Sequence, residues 1–582
     1  MNKLQSSNWF MALQIGIIGG IAAILMSLVG MVEEFAKRDI VAGVIEMGQT
    51  LILIALLATG YFAARRSPST GSFLRIIEGG VAGATAGLLL WLLVQSIAPL
   101  DLRTIFLNAS PALIKILTFG KEGAAALGLM LVLGTLGGLA GALVQILPGR
   151  YSNATVQGLA WVALLGLLQD LIRVTLLNLP AIGDALRWMF GSRNEKGLSI
   201  LGAVVVFVVV AGVSVLRFGQ SSPLQARLRA LPAASQRAVR WISLALLAAI
   251  ILYLPNVLGS YLSQVSNQVG LFLLMGLGLN IVVGFAGLLD LGYVAFFAIG
   301  AYVMGVLTTN AIGPQAGQIV YGPQMTFWQA LPIAVLVSVI AGVILGIPVL
   351  NIRGDYLAIV TLGFGEIIRI LAGSDFLKPY IGGSQGIVQV AKSNIGGIDF
   401  HSPQKLYYVI LAGILLAAFV SWRLRDSRVG RAWKALREDE DVAQAMGIHL
   451  VSTKLMAFAT GAAFAGLSGA IFASQIGSIY PHSFKLLVSI NVLALIIVGG
   501  MGSLPGVFVG ALILVGLPEL LREFSEYRLL IYGALLIVMM LTRPEGFLPE
   551  ATRRQELHEE IGPEGELLPE APKLQDETNP AP

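Results

Sequence analysis

Glu366 and Arg369 stand three residues apart inside the otherwise apolar run Tyr356–Ala372. At that spacing two side chains share one helix face and can neutralise each other. Ionisable groups inside a membrane-length run are costly, so they either satisfy one another or serve a polar solute on its way through. Asp290, between Gly287 and Gly292 at a short break between two apolar half-runs, is a second such point, and Asn280, Asn491 and Gln475 are uncharged ones. Two uses stay open at this stage. One is an internally satisfied helix bundle; the other makes Asn280, Asp290, Glu366, Arg369 and Asn491 the lining of a translocation path.

Catalytic chemistry finds little support. The chain has no cysteine, which excludes thiolate nucleophiles, disulfides and zinc–thiolate sites together. His401, His449, His482 and His558 lie far apart with no metal-ligand spacing, so no metal site is expected. Gly382, Gly383, Ser384, Gln385 and Gly386 match G-x-S-x-G, but that motif acts at a strand-to-helix elbow with His and Asp partners, and here it falls in a loop. The stretch from Gly499 to Gly506 is glycine-rich yet misses the dinucleotide spacing by one residue, and reads as a tight turn between helices. No G-x-x-x-x-G-K-[ST] occurs anywhere, so the chain carries no ATP site of its own. The expectation is a non-enzyme with no catalytic residue and no bound cofactor.

The elements that position these residues follow from composition. Of 582 residues, 56% are hydrophobic and 12% charged, against roughly 25% charged in soluble domains. Mean hydropathy is +0.81 and there are 68 glycines. Such a chain cannot cover itself with polar surface in water. Crossing a hydrocarbon core of roughly 30 Å takes about 20 apolar residues. Runs of that order lie at Phe10–Val32, Val41–Ala63, Gly79–Ala98, Gly123–Leu147, Val156–Leu179 and Ser199–Leu216, then at Trp241–Leu258, Leu262–Val283, Leu291–Thr308, Gln329–Leu350 and Tyr356–Ala372. Others follow at Lys405–Trp422, Leu455–Ile476, Leu486–Val498, Val507–Leu521 and Leu529–Leu541. The fold class is all-α, a polytopic transmembrane bundle of about 14 to 16 spans. The first run exceeds a signal-peptide core, and Glu33 and Glu34 follow where a cleavage site would stand, so it is expected to be retained.

Three regions are expected: 1–240, a membrane extension of about six helices; 241–548, a transport core; and 549–582, an acidic disordered tail. That tail holds nine acids against three bases, which leaves +11 on the rest of a chain whose net charge is +5. Arg65, Arg66, Arg75, Arg150, Arg217, Arg227, Arg229, Arg237 and Arg240 fall on one side of the membrane with the cluster Arg423–Arg437. By the positive-inside rule that side is cytoplasmic and holds both termini. Arg187, Arg193 and Lys196 form the weak exception, partly balanced by Asp184 and Glu195. No basic face with interleaved aromatics appears, so nucleic acid is not an expected partner. Glycines four apart at Gly134 and Gly138, Gly342 and Gly346, and Gly506 and Gly510 read as helix packing in lipid.

The inner loop Arg423–Lys454 is the most specific segment. Its residues Ala435, Leu436, Val442, Ala443 and Met446 make a short apolar stripe, and Gly447 ends the helix. Four consecutive acids, Glu438 to Asp441, make anionic lipid a poor partner, so a groove on a cytosolic protein is the favoured one.

At these residues the chain resembles the LivM family, membrane subunits of ATP-binding-cassette importers for branched-chain amino acids. The resemblance is carried by Gly276–Tyr302, Ile352–Ile370, Gly430–Gly447 and Val498–Ser525, over about Leu262 to Pro549. Permeases of this type carry an E-A-A-x-x-x-G docking motif, of which this chain keeps Ala443 and Gly447, with Asp441 and Val442 at the other positions. The resemblance implies half of a translocation pathway for leucine, isoleucine, valine or related neutral amino acids in a bacterial inner membrane. It implies as partners two cytosolic ATPase subunits that use ATP and magnesium, a second, LivH-like permease, and a periplasmic or lipid-anchored binding protein, with lipid around them. Trp433, Ala435, Leu436, Glu440, Asp441, Val442, Ala443, Met446 and Gly447 would transmit the ATPase stroke. A urea or short-amide permease and an ion-coupled secondary transporter are the alternative readings.

Overall fold

The computed structural model describes the chain except residues 1–7, 37–38, 43–44, 68–70, 107, 170–171, 174–186, 191–196, 218–232, 314–318, 321, 350–351, 353, 396–397, 521–532, 535, 538, 540–544 and 550–582. The acidic tail, most of the run Leu529–Leu541, the end of Val156–Leu179, the loop charges Asp184, Arg193, Glu195 and Lys196, and Arg227 and Arg229 lie outside the described residues.

The described residues are helical almost throughout, with three two-stranded ladders of two or three residues per strand. Ten helices among them are long and apolar enough to cross a membrane, and Ile200–Val215, Val294–Thr308 and Leu504–Leu520 are shorter apolar helices. The two runs that the sequence separates, Trp241–Leu258 and Leu262–Val283, are two helical segments that meet at a kink: Pro255 precedes it, and Gly259, whose φ of 69° lies in the left-handed region, is not helical.

The chain divides into two compact units, Met1–Leu247 and Ala248–Pro582. In the first, α1 (Asn8–Leu28), α3 (Met47–Arg66), α4 (Ser72–Ile97) and α6 (Gly123–Ile146) pack together, with the short α2 (Met31–Phe35) and α5 (Pro111–Leu117) at one end. Lipid offers no hydrophobic driving force between helices, so close backbone approach must hold them. A Cβ at Gly60 would strike the Gly138 carbonyl, and one at Gly83 the Gly134 carbonyl. The glycines read from the sequence as packing residues are packed here. Isoleucine, leucine and valine cover the outer faces of this unit. Helices α7 (Gly149–Leu167) and α8 (Ile200–Arg217) complete it.

The second unit begins within α9 (Ala233–Leu279), which continues as a π-helical turn, Asn280–Phe285. Its other long elements are α10 (Val294–Thr308), α11 (Phe327–Val349), α12 (Asp355–Gly373), α14 (Pro403–Arg425), α17 (Leu450–Ile476) and α18 (Leu486–Gly499). Helix α17 is central because one side of it is made of small residues. A Cβ at Gly469 would overlap the Phe297 carbonyl of α10, and Gly466 meets Ser338 of α11. Ser468 donates to the Leu271 carbonyl at 3.0 Å, and the Tyr293 hydroxyl to that of Gly461 at 2.8 Å. Strand β3 (Ile387–Val388) pairs antiparallel with β6 (Ser478–Ile479), tying the loop before α14 to the loop after α17.

Candidate functional site

The loop Arg423–Lys454 folds as an elbow of two helices where the sequence pattern predicts one. Helix α15 (Arg428–Glu438) starts on Ser427, whose hydroxyl accepts from Gly430 N–H. It stops at Asp439, which takes extended dihedrals and caps α16 (Glu440–Ala445) by accepting from the amides of Asp441 and Val442 at 2.8 and 2.9 Å. A short acidic side chain bonds its own backbone better at a cap than in a helix interior, and that local competition interrupts the apolar periodicity. The stripe is therefore divided: Leu436 and Ala443 are buried, while Val442 and Met446 are 59% and 79% exposed at the tip. Gly447, at φ 86°, turns the chain towards α17.

Three side chains hold the elbow. Trp433 is fully buried and its indole N–H donates to the Thr453 carbonyl at 2.9 Å, so it anchors the elbow to α17 instead of presenting itself to a partner. Lys454, almost completely buried, places its ammonium 2.9 Å from the Glu440 carboxylate. Arg437 donates to the Gly284 carbonyl at 2.9 Å, inside the π-helical turn. A Cβ on Gly287 would collide with the same arginine. Ala435 is half-buried, whereas Asp441 and Gly447 are exposed. Arg437 and Lys454 carry no sequence signal for these roles beyond their place in a basic loop, because their partners lie 153 and 14 residues away.

The π-helical turn connects the elbow to the predicted polar points. Asn280, which opens it, is buried and its Oδ1 accepts from Gly502 N–H at 2.9 Å, so the glycine-rich turn after α18 is bonded to it. The chain between the turn and α10 is irregular, and backbone of that kind survives at membrane depth only where protein satisfies it. Asp290, fully buried, accepts from Gly292 N–H at 2.9 Å. Thr361 of α12 accepts from Leu291 N–H at 3.0 Å, and Ser489 of α18 from Val294 N–H at 2.9 Å. Gly292 lies directly against the Thr361 carbonyl, which leaves no room for a side chain.

Glu366 and Arg369 are on a different side of α12. The Arg369 Nε donates to both carboxylate oxygens at 3.0 Å, and Nη2 adds a third bond. Their side chains are 41% and 33% exposed. The five polar candidates thus separate into enclosed residues, Asn280 and Asp290, and an ion pair open on one flank, with Asn491 half-buried on α18. Ser384 of the G-x-S-x-G stretch donates to the Gly373 carbonyl at 2.9 Å, and no strand-to-helix elbow surrounds it.

A family profile described as the permease component of branched-chain amino acid transport systems matches residues 261–540. The chain is 42% identical over 309 residues to the high-affinity branched-chain amino acid transport permease protein LivM of Salmonella typhimurium, covering 49% of this chain and 69% of that one. It is 42% identical over 302 residues to LivM of Escherichia coli, covering 48% and 68%. To the permease protein LivH of Escherichia coli it is 27% identical over 301 residues, covering 50% of this chain and 95% of LivH. No solved structure matches the chain. With ten membrane-length helices, a glycine-packed central helix and two LivM relatives matched over more than two thirds of their length, this chain is a multi-pass membrane protein that belongs to the family of branched-chain amino acid transport permeases.

Proposed function

We propose that the chain is a permease subunit of an ATP-driven importer and forms half of the translocation pathway for leucine, isoleucine, valine or related neutral amino acids. The observation that carries this reading is the elbow: an apolar tip, Val442 and Met446, exposed beside the buried Trp433 and Lys454 that join it to α17 and the half-buried Arg437 that joins it to the π-helical turn. A tip that only had to sit in solvent would need no such anchoring. Force applied there enters the helical core directly, which suits a subunit moved by others and not one carrying its own ATP site. Two cytosolic ATPase subunits, with their ATP and magnesium, would receive the tip, and this chain would bind no cofactor. The similarity to both LivM and LivH supports a second, LivH-like permease as the other half of the pathway. A periplasmic or lipid-anchored binding protein would deliver the solute on the opposite side. The positive-inside pattern supports a bacterial inner membrane with both termini cytoplasmic.

Co-expression with the partner genes, detergent purification and reconstitution into proteoliposomes test the reading. The expected result is ATP-dependent accumulation of leucine by the two permeases and two ATPase subunits supplied with the binding protein, and none by this chain alone. Accumulation of urea or a short amide in place of leucine would change the substrate assignment. Transport by the lone chain under an ion gradient without ATP would overturn the importer.

A further inference from the structure

Helix α12 presents a charged pair on a face that its own unit leaves uncovered. Ile359, Gly363, Glu366 and Ile370 follow one another at spacings of four, three and four, so they form one stripe. Ile359 and Ile370 are 64% and 57% exposed, and no atom lies within 4 Å of the position a Cβ would take on Gly363. The stripe is therefore an apolar strip with a notch one turn before Glu366. The opposite side of the same helix, with Leu357, Ala358, Thr361, Gly365 and Ala372, is the one that packs inward. An ion pair half out of the protein on a membrane-spanning helix is a poor neighbour for hydrocarbon. Protein or a water-filled path must cover it.

We propose that Glu366 and Arg369 are a two-point clamp for the zwitterionic backbone of a free amino acid, and that the notch at Gly363, between the isoleucines, takes its aliphatic side chain. This rests on the permease reading above and adds the contacts by which the solute is held. The chemistry matches in three respects. A carboxylate and a guanidinium on adjacent turns offer one partner each to an α-ammonium and an α-carboxylate, and guanidinium binds carboxylate through paired donors. A zwitterion inserts between them without changing the net charge of the site, so no uncompensated charge is buried in either state. The two side chains are within reach of each other, Arg369 donating three hydrogen bonds to Glu366, so both charged ends of one zwitterion can be met at one place.

The test uses the complete complex in proteoliposomes, with binding protein and radiolabelled leucine. Glu366→Gln and Arg369→Gln are each expected to lower leucine uptake about tenfold or more, the scale of losing one charged hydrogen bond. Co-purification of all subunits and ATPase stimulation by the binding protein should stay at wild-type levels. The exchange Glu366→Arg with Arg369→Glu keeps an ion pair in the helix but reverses the clamp, so uptake should stay low. Gly363→Leu should raise the ratio of valine to leucine uptake by filling the notch. Unchanged uptake in both single variants overturns the clamp. So does a loss of uptake that merely follows loss of the partner permease from the complex, or full recovery in the exchanged variant. Import by the wild-type complex with indifferent variants removes the clamp alone, whereas an assembled wild-type complex that imports no amino acid removes the permease reading with it.

Discussion

Arg437 joins the elbow to the π-helical turn, and the Gly284 carbonyl to which it donates lies in a helix turn already widened to π geometry. π-Helical turns are rare and occur mostly as single-turn bulges inside α-helices, frequently at functional sites. Arg437→Ala is expected to leave the complex assembled and its ATPase active while leucine uptake falls about tenfold, the cost of one charge-assisted hydrogen bond. Parallel measurement of ATP turnover and uptake checks this, and uptake that keeps pace with ATP turnover would refute it. Lys454 makes a different prediction. Removing one member of a buried ion pair leaves the other uncompensated, at a cost of about 3–5 kcal/mol, whereas replacing both by apolar groups is close to neutral. Glu440 keeps some exposure, which places its pair at the lower end. Lys454→Met should therefore lower the thermal midpoint of the purified chain, and Lys454→Met combined with Glu440→Leu should recover most of it. Neither residue could be singled out from the sequence, because burial and partner are properties of the packed loop.

At the scale of elements, the elbow and the glycine contacts carry the argument. The exposed tip of α16 predicts that Val442→Asp or Met446→Asp removes the ATPase subunits from the purified complex without lowering the stability of the chain itself, since both side chains are solvent-facing. Pull-down stoichiometry and thermal unfolding measured together separate the two effects. In the first unit, Gly138 sits so close to α4 that a Cβ would lie 2.2 Å from the Gly79 carbonyl. Gly138→Leu must push the helices apart and should abolish monodisperse purification of the chain, read by size-exclusion profile, while Gly128→Leu, where nothing lies near, should be tolerated. The existence of these helices was legible as apolar runs. Division of the loop Arg423–Lys454 at Asp439 was not, because the hydrophobic spacing continues through it while the aspartate side chain takes the amides of Asp441 and Val442 instead. The break between the runs Trp241–Leu258 and Leu262–Val283 was legible, and the helix kinks there at Gly259.

For the whole molecule, the absence of cysteine from all 582 positions provides a direct test of topology. Single substitutions His401→Cys and Arg428→Cys, both at exposed positions, introduce the sole thiols of their variants. A membrane-impermeant maleimide should label the first in intact cells and the second only after permeabilisation; the reverse pattern would invert the orientation. Ile387→Cys with Ile479→Cys should form a disulfide under mild oxidation, because those residues are direct partners in the β3–β6 ladder. Such a bond would confirm that the loops before α14 and after α17 lie on one side of the membrane.

Composition and the period of apolar residues were enough to establish a membrane-embedded, all-α chain, and the motifs of residues 262–549 were enough to point to its family. Those properties are local: each run of about 20 residues must satisfy its own backbone in hydrocarbon, whatever its neighbours are. Only the tertiary structure decided which polar residues are enclosed and which remain open. It joined Arg437 to Gly284, Asn280 to Gly502 and Lys454 to Glu440, and left Glu366 and Arg369 on an uncovered face. The reason is physical: a polar or charged side chain is held by the partner that packing brings to it, and the first two of those partners lie 153 and 222 residues away along the chain.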